Sequence, residues 1–248
     1  DYSFLTFLCG NDFVVSPYFL KVKENGMKIL LDIYTPILTS LKEHLIINNK
    51  INHSFFIKLI ETLAENEQQF LMGWQKKRDQ KRKVIYTDPE DATVAFSRFQ
   101  HEEFYSPLHP QHEFFNKFFN SINYFDDNWN QRYNNYFFAE EKRGVEAVCH
   151  EYYKSLVFCL EYYTGEPPSW TWYYKYRMPP SFSDLLEYIN SEKEAFQIEP
   201  LFDLDEPIKP LEQLLMIIPT TSFKLLPKAL RIIPESLKVY YPPKPKLD

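Results

Sequence analysis

Residues 144–165 read Gly-Val-Glu-Ala-Val-Cys-His-Glu-Tyr-Tyr-Lys-Ser-Leu-Val-Phe-Cys-Leu-Glu-Tyr-Tyr-Thr-Gly. Within them Val145, Val148, Tyr152, Leu156, Cys159, Leu160 and Tyr163 recur at three- and four-residue steps, the period of a helix that buries one face. Gly165 stops the pattern, because glycine takes helix-closing backbone conformations at little cost. The spacing predicts a helix from Gly144 to Tyr163.

The same reading extends outward. Gly26 to Leu41 carries a helical stripe of Met27, Leu30, Leu31, Tyr34 and Leu38, interrupted at Pro36. A long helix is expected from Ser54, as its cap, to about Lys81, with Phe55, Leu59, Leu63, Phe70 and Trp74 near helical spacing. Asp88 to His109 reads as irregular, broken by Pro89 and Pro107, and Pro110 to Tyr124 as a further aromatic helix. Ser183 or Ser181 caps a helix through Leu185, Leu186, Tyr188 and Ile189, and Leu211 to Ile217 forms another with a proline stop. The tail from Tyr240 to Leu247 is proline- and lysine-rich and reads as extended. The fold class is mainly α, with proline-rich loops.

Bulk properties bound the function. The chain has 248 residues, 44% of them hydrophobic, enough for one large core or two small ones. Five Gly against 18 Pro fit firm helices joined by proline-punctuated loops. No run of eighteen apolar residues exists, so no helical membrane span is expected. Cys9, Cys149 and Cys159 sit in apolar contexts with no disulfide or metal-site spacing, which suits a reducing compartment: cytoplasm, with the nucleus as the alternative. The net charge of −6 does not advertise a nucleic-acid surface. Its local exception is Lys76-Lys77-Arg78 with Lys81-Arg82-Lys83, either a solvated helix end or a phosphate-tracking or partner-facing strip.

Two motifs carry candidate chemistry. Trp170-Thr171-Trp172-Tyr173-Tyr174 follows Pro167-Pro168-Ser169 and is neither helix nor regular strand material. One ring of the pair can anchor in the core while the other stacks on a nucleobase. Read alone, such a cluster is more often core. The second motif is Gly10-Asn11-Asp12-Phe13, after the apolar run Phe4 to Cys9. An Asp at a helix-to-loop transition beside a flexible Gly can reach a hard cation, although most such tripeptides are ordinary turns. His109 and His112, near Glu102 and Glu103, read as surface polar residues because Pro110 lies between them. The acids Asp126, Asp127, Asp203, Asp205 and Glu206 read as loop and cap chemistry. No nucleophilic triad, P-loop or dinucleotide fingerprint is present.

In this order the two motifs resemble the XRN-type 5′→3′ exoribonucleases, relatives of the flap endonucleases. Gly10-Asn11-Asp12-Phe13 is similar to that family's metal motif, and Pro168-Ser169-Trp170-Thr171-Trp172-Tyr173-Tyr174 to its signature loop. Between and beyond them, Phe19-Leu20-Lys21-Val22, Leu30-Leu31-Asp32-Ile33-Tyr34, Trp74-Gln75-Lys76-Lys77-Arg78, Trp129 to Phe137, Tyr153 to Tyr163, Pro207 to Leu214 and Ile218-Pro219 also look like family segments. The match is poorer between about Lys83 and Asp127. It departs at Val15, where the family has proline, and at Lys175-Tyr176-Arg177-Met178-Pro179-Pro180, where the family has proline-tyrosine-histidine-tyrosine-alanine-proline. These departures touch loop shape and leave Asp12 and both tryptophans in place.

The resemblance implies the second conserved region of the family, the helical C-terminal half of a split α/β nuclease module within a longer protein. Over 1–248 it implies a metal motif and following helix (1–41), a long helix (54–83), a variable segment (84–128), and a tyrosine-rich helix, tryptophan loop and closing segment (129–248). The implied activity is stepwise two-metal hydrolysis of single-stranded RNA bearing a 5′-monophosphate, with Mg²⁺ or Mn²⁺. The implied partner is the upstream conserved region of the same polypeptide, which would carry the other carboxylates and the basic 5′-phosphate pocket. Asp12 would be a catalytic metal ligand and Asn11 a turn-former supporting it. Trp170, slightly ahead of Trp172, would stack on the terminal base, Lys175 and Arg177 are candidate phosphate contacts, and Tyr173, Tyr174 and Tyr176 read as core. The rival expectations are an inactive RNA-binding or scaffold relative, and a DNA-directed nuclease of the same superfamily.

Overall fold

The computed structural model describes residues 1–82, 121–191, 202–203 and 205–232. Among them are seven α-helices and one short hairpin: α1 (Tyr2–Leu8), α2 (Gly26–Leu41), β1 (Ile46–Ile47), β2 (Lys50–Ile51), α3 (His53–Arg82), α4 (Trp129–Phe138), α5 (Val145–Thr164), α6 (Phe182–Ser191) and α7 (Pro210–Ile217). Short 3₁₀ turns occupy Tyr18–Leu20, Val22–Glu24, Thr220–Leu225 and Lys228–Leu230. The protein is mainly helical. It divides into two compact units, Asp1–Pro168 with Tyr173–Phe202, and Ser169–Trp172 with Asp203–Asp248.

In the first unit, α3 is the axis against which α2 and α6 pack. Its inward stripe is Phe56, Ile60, Leu63, Glu67, Leu71 and Gln75, all buried at helical spacing. Aromatic edges join it to neighbours: Phe56 meets Phe4 of α1 (6.1 Å) and Tyr153 of α5 (5.8 Å), and Phe55 meets Tyr34 of α2 (5.2 Å). Further along, Phe70 stacks on Phe19 and Trp74 on Tyr18, at 5.2 and 4.5 Å between centroids. Each fully buried side chain among them, such as Phe4, Phe55 and Phe56, contributes about 1.5–3 kcal/mol of apolar burial. Helix α5 is buried on several faces, through Val148, Cys149, Tyr152, Tyr153, Leu156, Phe158, Cys159 and Leu160, so it lies inside the unit. The three cysteines are buried and free.

Several local expectations are corrected. The cap of α3 is Asn52 instead of Ser54: its Oδ1 accepts the Phe55 N–H while its amide donates to Glu43 and the His44 carbonyl. Pro36 does not interrupt α2, which runs through it; the proline is exposed, so water can serve the carbonyl it leaves without a donor. Between Ser181 and Ser183, it is Ser181 Oγ that accepts the Asp184 N–H, at 3.0 Å. The hairpin was not foreseen; Asn48 and Asn49 both adopt positive φ (51° and 58°), the requirement of a two-residue turn. The family-like segment Trp129 to Phe137, whose structure the sequence reading left open, lies within α4. The expected irregular segment 88–109, the bulk of the helix from Pro110, His101, His109, His112 and the tail lie outside the described residues.

A buried acid joins α3 to α6. Glu67, 3% exposed, accepts the Phe182 N–H at 2.9 Å and also that of Ser183, satisfying the open first turn of α6 from another helix. Asp184 of that turn receives Nδ2 of Asn130 and Asn134 from α4, at 3.2 and 3.0 Å. Two tyrosine hydroxyls hold the chain entering α6: Tyr133 donates to the Pro179 carbonyl and Tyr174 to that of Met178.

Helix α1 closes at Gly10, whose φ of +92° is a left-handed conformation and whose Cα lies so near Ser16 that an added Cβ would meet Ser16 Cβ at 2.9 Å. Gly26, opening α2, faces the Leu20 backbone with no room for any side chain.

Two predictions follow from these contacts. Burial pushes the Glu67 carboxyl from its ordinary 4.5 up to about 8, against the pull of the two backbone donors. Its folded-state proton affinity exceeds the unfolded one, so wild type is expected to lose stability relative to Glu67→Gln as pH rises from about 4.5 to about 8, with no further change above. Urea unfolding of both proteins across that range checks it, and parallel curves would refute it. Gly10→Ala is expected to lower stability by about 1–3 kcal/mol, read from the urea midpoint.

Candidate functional site

The first candidate is the turn after α1. The Gly10 N–H bonds to the Phe7 carbonyl, and the Asn11 N–H to that of Val14. Asn11 Oδ1 gathers the Phe13 and Val14 N–H groups at 2.9 and 2.8 Å, and its Nδ2 reaches Cys159 Sγ of α5 at 3.4 Å. Asn11 is thus a turn-former tied to α5. Burial pushes the Cys9 and Cys159 thiols up to about 11, which keeps both protonated and inert at neutral pH. Phe13 lies against Phe158 and Tyr162 of α5, with centroids 5.0 and 5.1 Å away.

With Asn11 and Phe13 both anchored, Asp12 is the residue left pointing to solvent. It is exposed, and its carboxylate has no hydrogen bond or ion pair among the described residues. No group of three or more His, Cys, Asp or Glu able to hold a metal occurs among those residues. Asp12 is therefore a single exposed carboxylate that belongs to no such group.

The second candidate is the tryptophan loop, in the second unit. Residues 168–176 form no helix or strand. Asp205 organises the turn: its Oδ1 accepts the Trp170 N–H at 2.7 Å, and its Oδ2 accepts the Thr171 N–H (2.9 Å), the Thr171 hydroxyl (2.5 Å) and the Ser169 hydroxyl (2.5 Å). Ser169 Oγ in turn accepts the Trp172 N–H at 3.0 Å. These donors, the Ser169 and Thr171 hydroxyls first, hold the Asp205 carboxyl well below the usual carboxylate range. Trp170 is 52% exposed and Trp172 half-buried.

Other expected site residues are placed differently. Tyr174 is buried, but Tyr173 is 72% exposed and Tyr176 half-buried, so the reading of all three as core is corrected. Lys175 Nζ pairs with Glu141 at 3.2 Å and lies 4.9 Å from the Tyr176 ring, whose hydroxyl also donates to Glu141. Glu141 is accordingly held down to about 2, first by the Tyr176 hydroxyl, then the Arg143 N–H and Lys175. Arg177 is exposed. The basic strip of α3 is divided where it is described: Lys76 and Lys77 are exposed, as at a solvated helix end, and Arg78 is buried. Arg78 is 6% exposed, bonded to Asp79 and set over the Trp74 ring, Lys77 lies 3.8 Å from Glu24, and Lys76 faces the Phe125 ring. Sequence reasoning missed the roles of Asp205 and Glu141, because each acts on residues 34–36 positions away, beyond any local pattern.

No described helix is long and apolar enough to cross a membrane. Compared with known proteins, the chain matches the family model of the Xrn1 helical domain over residues 1–106 and 108–237. It is 30% identical to 5′-3′ exoribonuclease 1 of Saccharomyces cerevisiae over 116 residues, covering 45% of this chain and 7% of that protein. With 5′-3′ exoribonuclease 2 of Schizosaccharomyces pombe the identity is 38% over 94 residues, 38% of this chain and 9% of the relative. Human 5′-3′ exoribonuclease 1 aligns with the whole chain at 23% identity, over 16% of its own length. The chain thus spans well under a fifth of these relatives. A mainly helical architecture, together with a family match running almost end to end, makes the assignment: the chain belongs to the Xrn1 helical domain family.

Proposed function

We propose that this chain is the helical part of a 5′→3′ exoribonuclease that hydrolyses single-stranded RNA bearing a 5′-monophosphate. The observation that carries the reading is Asp12, an exposed carboxylate with no partner among the described residues, on a turn that Gly10 and Asn11 hold open, in a chain of this family. Such a carboxylate makes no structural contact among those residues and is open to a cation. Asp12 would bind Mg²⁺ or Mn²⁺ together with carboxylates of the upstream region of the same polypeptide. When bound, the ions supply positive charge at the scissile phosphodiester and acidify the attacking water.

Trp170, with Trp172 beside it, would stack on the 5′-terminal base; every base offers a π-face, so the wall accepts any sequence. Lys175 is committed to Glu141, so a phosphate contact from it requires that pair to open; exposed Arg177 would be the other basic contact of this stretch. The buried free cysteines suit a reducing compartment, the cytoplasm or nucleus.

The test uses the full-length polypeptide with Mg²⁺ and end-labelled single-stranded RNA carrying a 5′-monophosphate, 5′-triphosphate or 5′-hydroxyl, beside single-stranded DNA. Stepwise shortening of the monophosphate RNA alone is expected, reduced at least about 100-fold in Asp12→Ala. Because Asp12 is exposed and unpaired, the variant should unfold within about 0.5 kcal/mol of wild type. Equal shortening by both proteins would remove Asp12 from the chemistry. RNA bound but never shortened by wild type would leave the chain as an RNA-binding relative, and shortening of DNA would mark a DNA-directed nuclease.

A further inference from the structure

Asp205 performs no task in the family reading above, yet it accepts four hydrogen bonds from the tryptophan loop. A carboxylate in a concave array of N–H and O–H donors is the arrangement that proteins use to bind an anion. Here the anion is part of the chain. Its two oxygens take the N–H groups of Trp170 and Thr171 and the hydroxyls of Ser169 and Thr171, and Ser169 passes the order on by accepting the Trp172 N–H.

Two consequences follow. The three consecutive amides of residues 170–172 are all engaged, so the loop offers a substrate its rings and not its backbone donors. The backbone on both sides of the Trp170 Cα is also pinned, while the side chain remains half open to solvent. A ring on a pinned turn stacks without first having to be ordered, and preorganisation of this kind converts directly into affinity.

We infer that Asp205 is a positioning residue, an internal anion that locks the Ser169–Trp172 turn and presents Trp170 as a fixed stacking platform for a base at the 5′ end of single-stranded RNA. This rests on the reading of the loop as a base-stacking wall. Asp205 touches no substrate itself.

The experiment measures binding apart from cleavage. The full-length polypeptide, with divalent ions chelated, is titrated into 3′-fluorescein single-stranded RNA whose 5′-monophosphate nucleotide is either adenosine or an abasic ribose. Wild type is expected to favour the base-bearing RNA. Asp205→Ala should weaken binding of that RNA by roughly tenfold and leave the abasic RNA unchanged. Trp170→Ala with Asp205→Ala should bind no more weakly than Trp170→Ala alone, since a platform with no ring has nothing to position. Thr171→Val, which removes one donor and keeps the branched side chain, should show a smaller loss in the same sense and serves if Asp205→Ala does not fold. A loss shared equally by both RNAs, no loss at all, or a wild type indifferent to the base would each overturn the inference. Mg²⁺-dependent shortening of the same RNA reports on the nuclease reading separately. Base- and Asp205-dependent binding without shortening keeps the platform and sinks the nuclease, and shortening indifferent to Asp205 does the reverse.

Discussion

A carboxylic acid at the centre of the first unit must find hydrogen-bond donors, and the open first turn of α6 supplies them. Glu67 lies on the inward stripe of α3, fully enclosed, and receives the Phe182 and Ser183 N–H groups. A buried acid without donors and a buried helix start without acceptors are each costly, on the order of 1–3 kcal/mol per group, and pairing them removes both costs. The same contact fixes the register of α6 on α3. It therefore fixes where the segment leading into α6 must arrive, with the Tyr133 and Tyr174 hydroxyls holding its last carbonyls.

The two candidate functional turns obey one physical rule in two places. In each, a short polar side chain collects backbone N–H groups of an exposed segment, and the residue with chemistry to offer is left outside the network. Asn11 takes the amides of Phe13 and Val14 and leaves Asp12 free. Asp205 takes those of Trp170 and Thr171 and leaves the Trp170 ring open. An exposed functional group needs a defined position as much as a reactive atom, and side-chain-to-backbone bonds supply it without a regular element.

Charge tells a complementary story. The chain is acidic, and several of its cations are occupied by neighbouring carboxylates or rings: Arg78 by Asp79 and Trp74, Lys77 by Glu24, Lys175 by Glu141. The strip on α3 that resembles a phosphate-tracking surface in the sequence is partly packing material in the fold. A guanidinium on an aromatic face is a structural use of charge as legitimate as a phosphate contact.

The helices were legible because helical burial repeats every three to four residues, so α2, α3, α5 and α6 could be read from apolar spacing, and the motifs around Asp12 and Trp170 from residue type and order. Caps were less legible: Asn52 and Ser54 are both capping residues, and only the hydrogen bonds of the folded chain choose between them. Tyr173, Tyr174 and Tyr176 are chemically alike in sequence, and burial separates them only once a core exists to hide one and leave another out. By itself the sequence determined the helical class and the family resemblance and singled out Asp12 and Trp170 as candidates, all carried by local pattern. Only the tertiary structure decided that Glu67 serves α6, that Glu141 occupies Lys175 and that Asp205 holds the tryptophan turn. Those pairs are 34 to 115 positions apart along the chain, and folding is what brings an acceptor within reach of a distant donor.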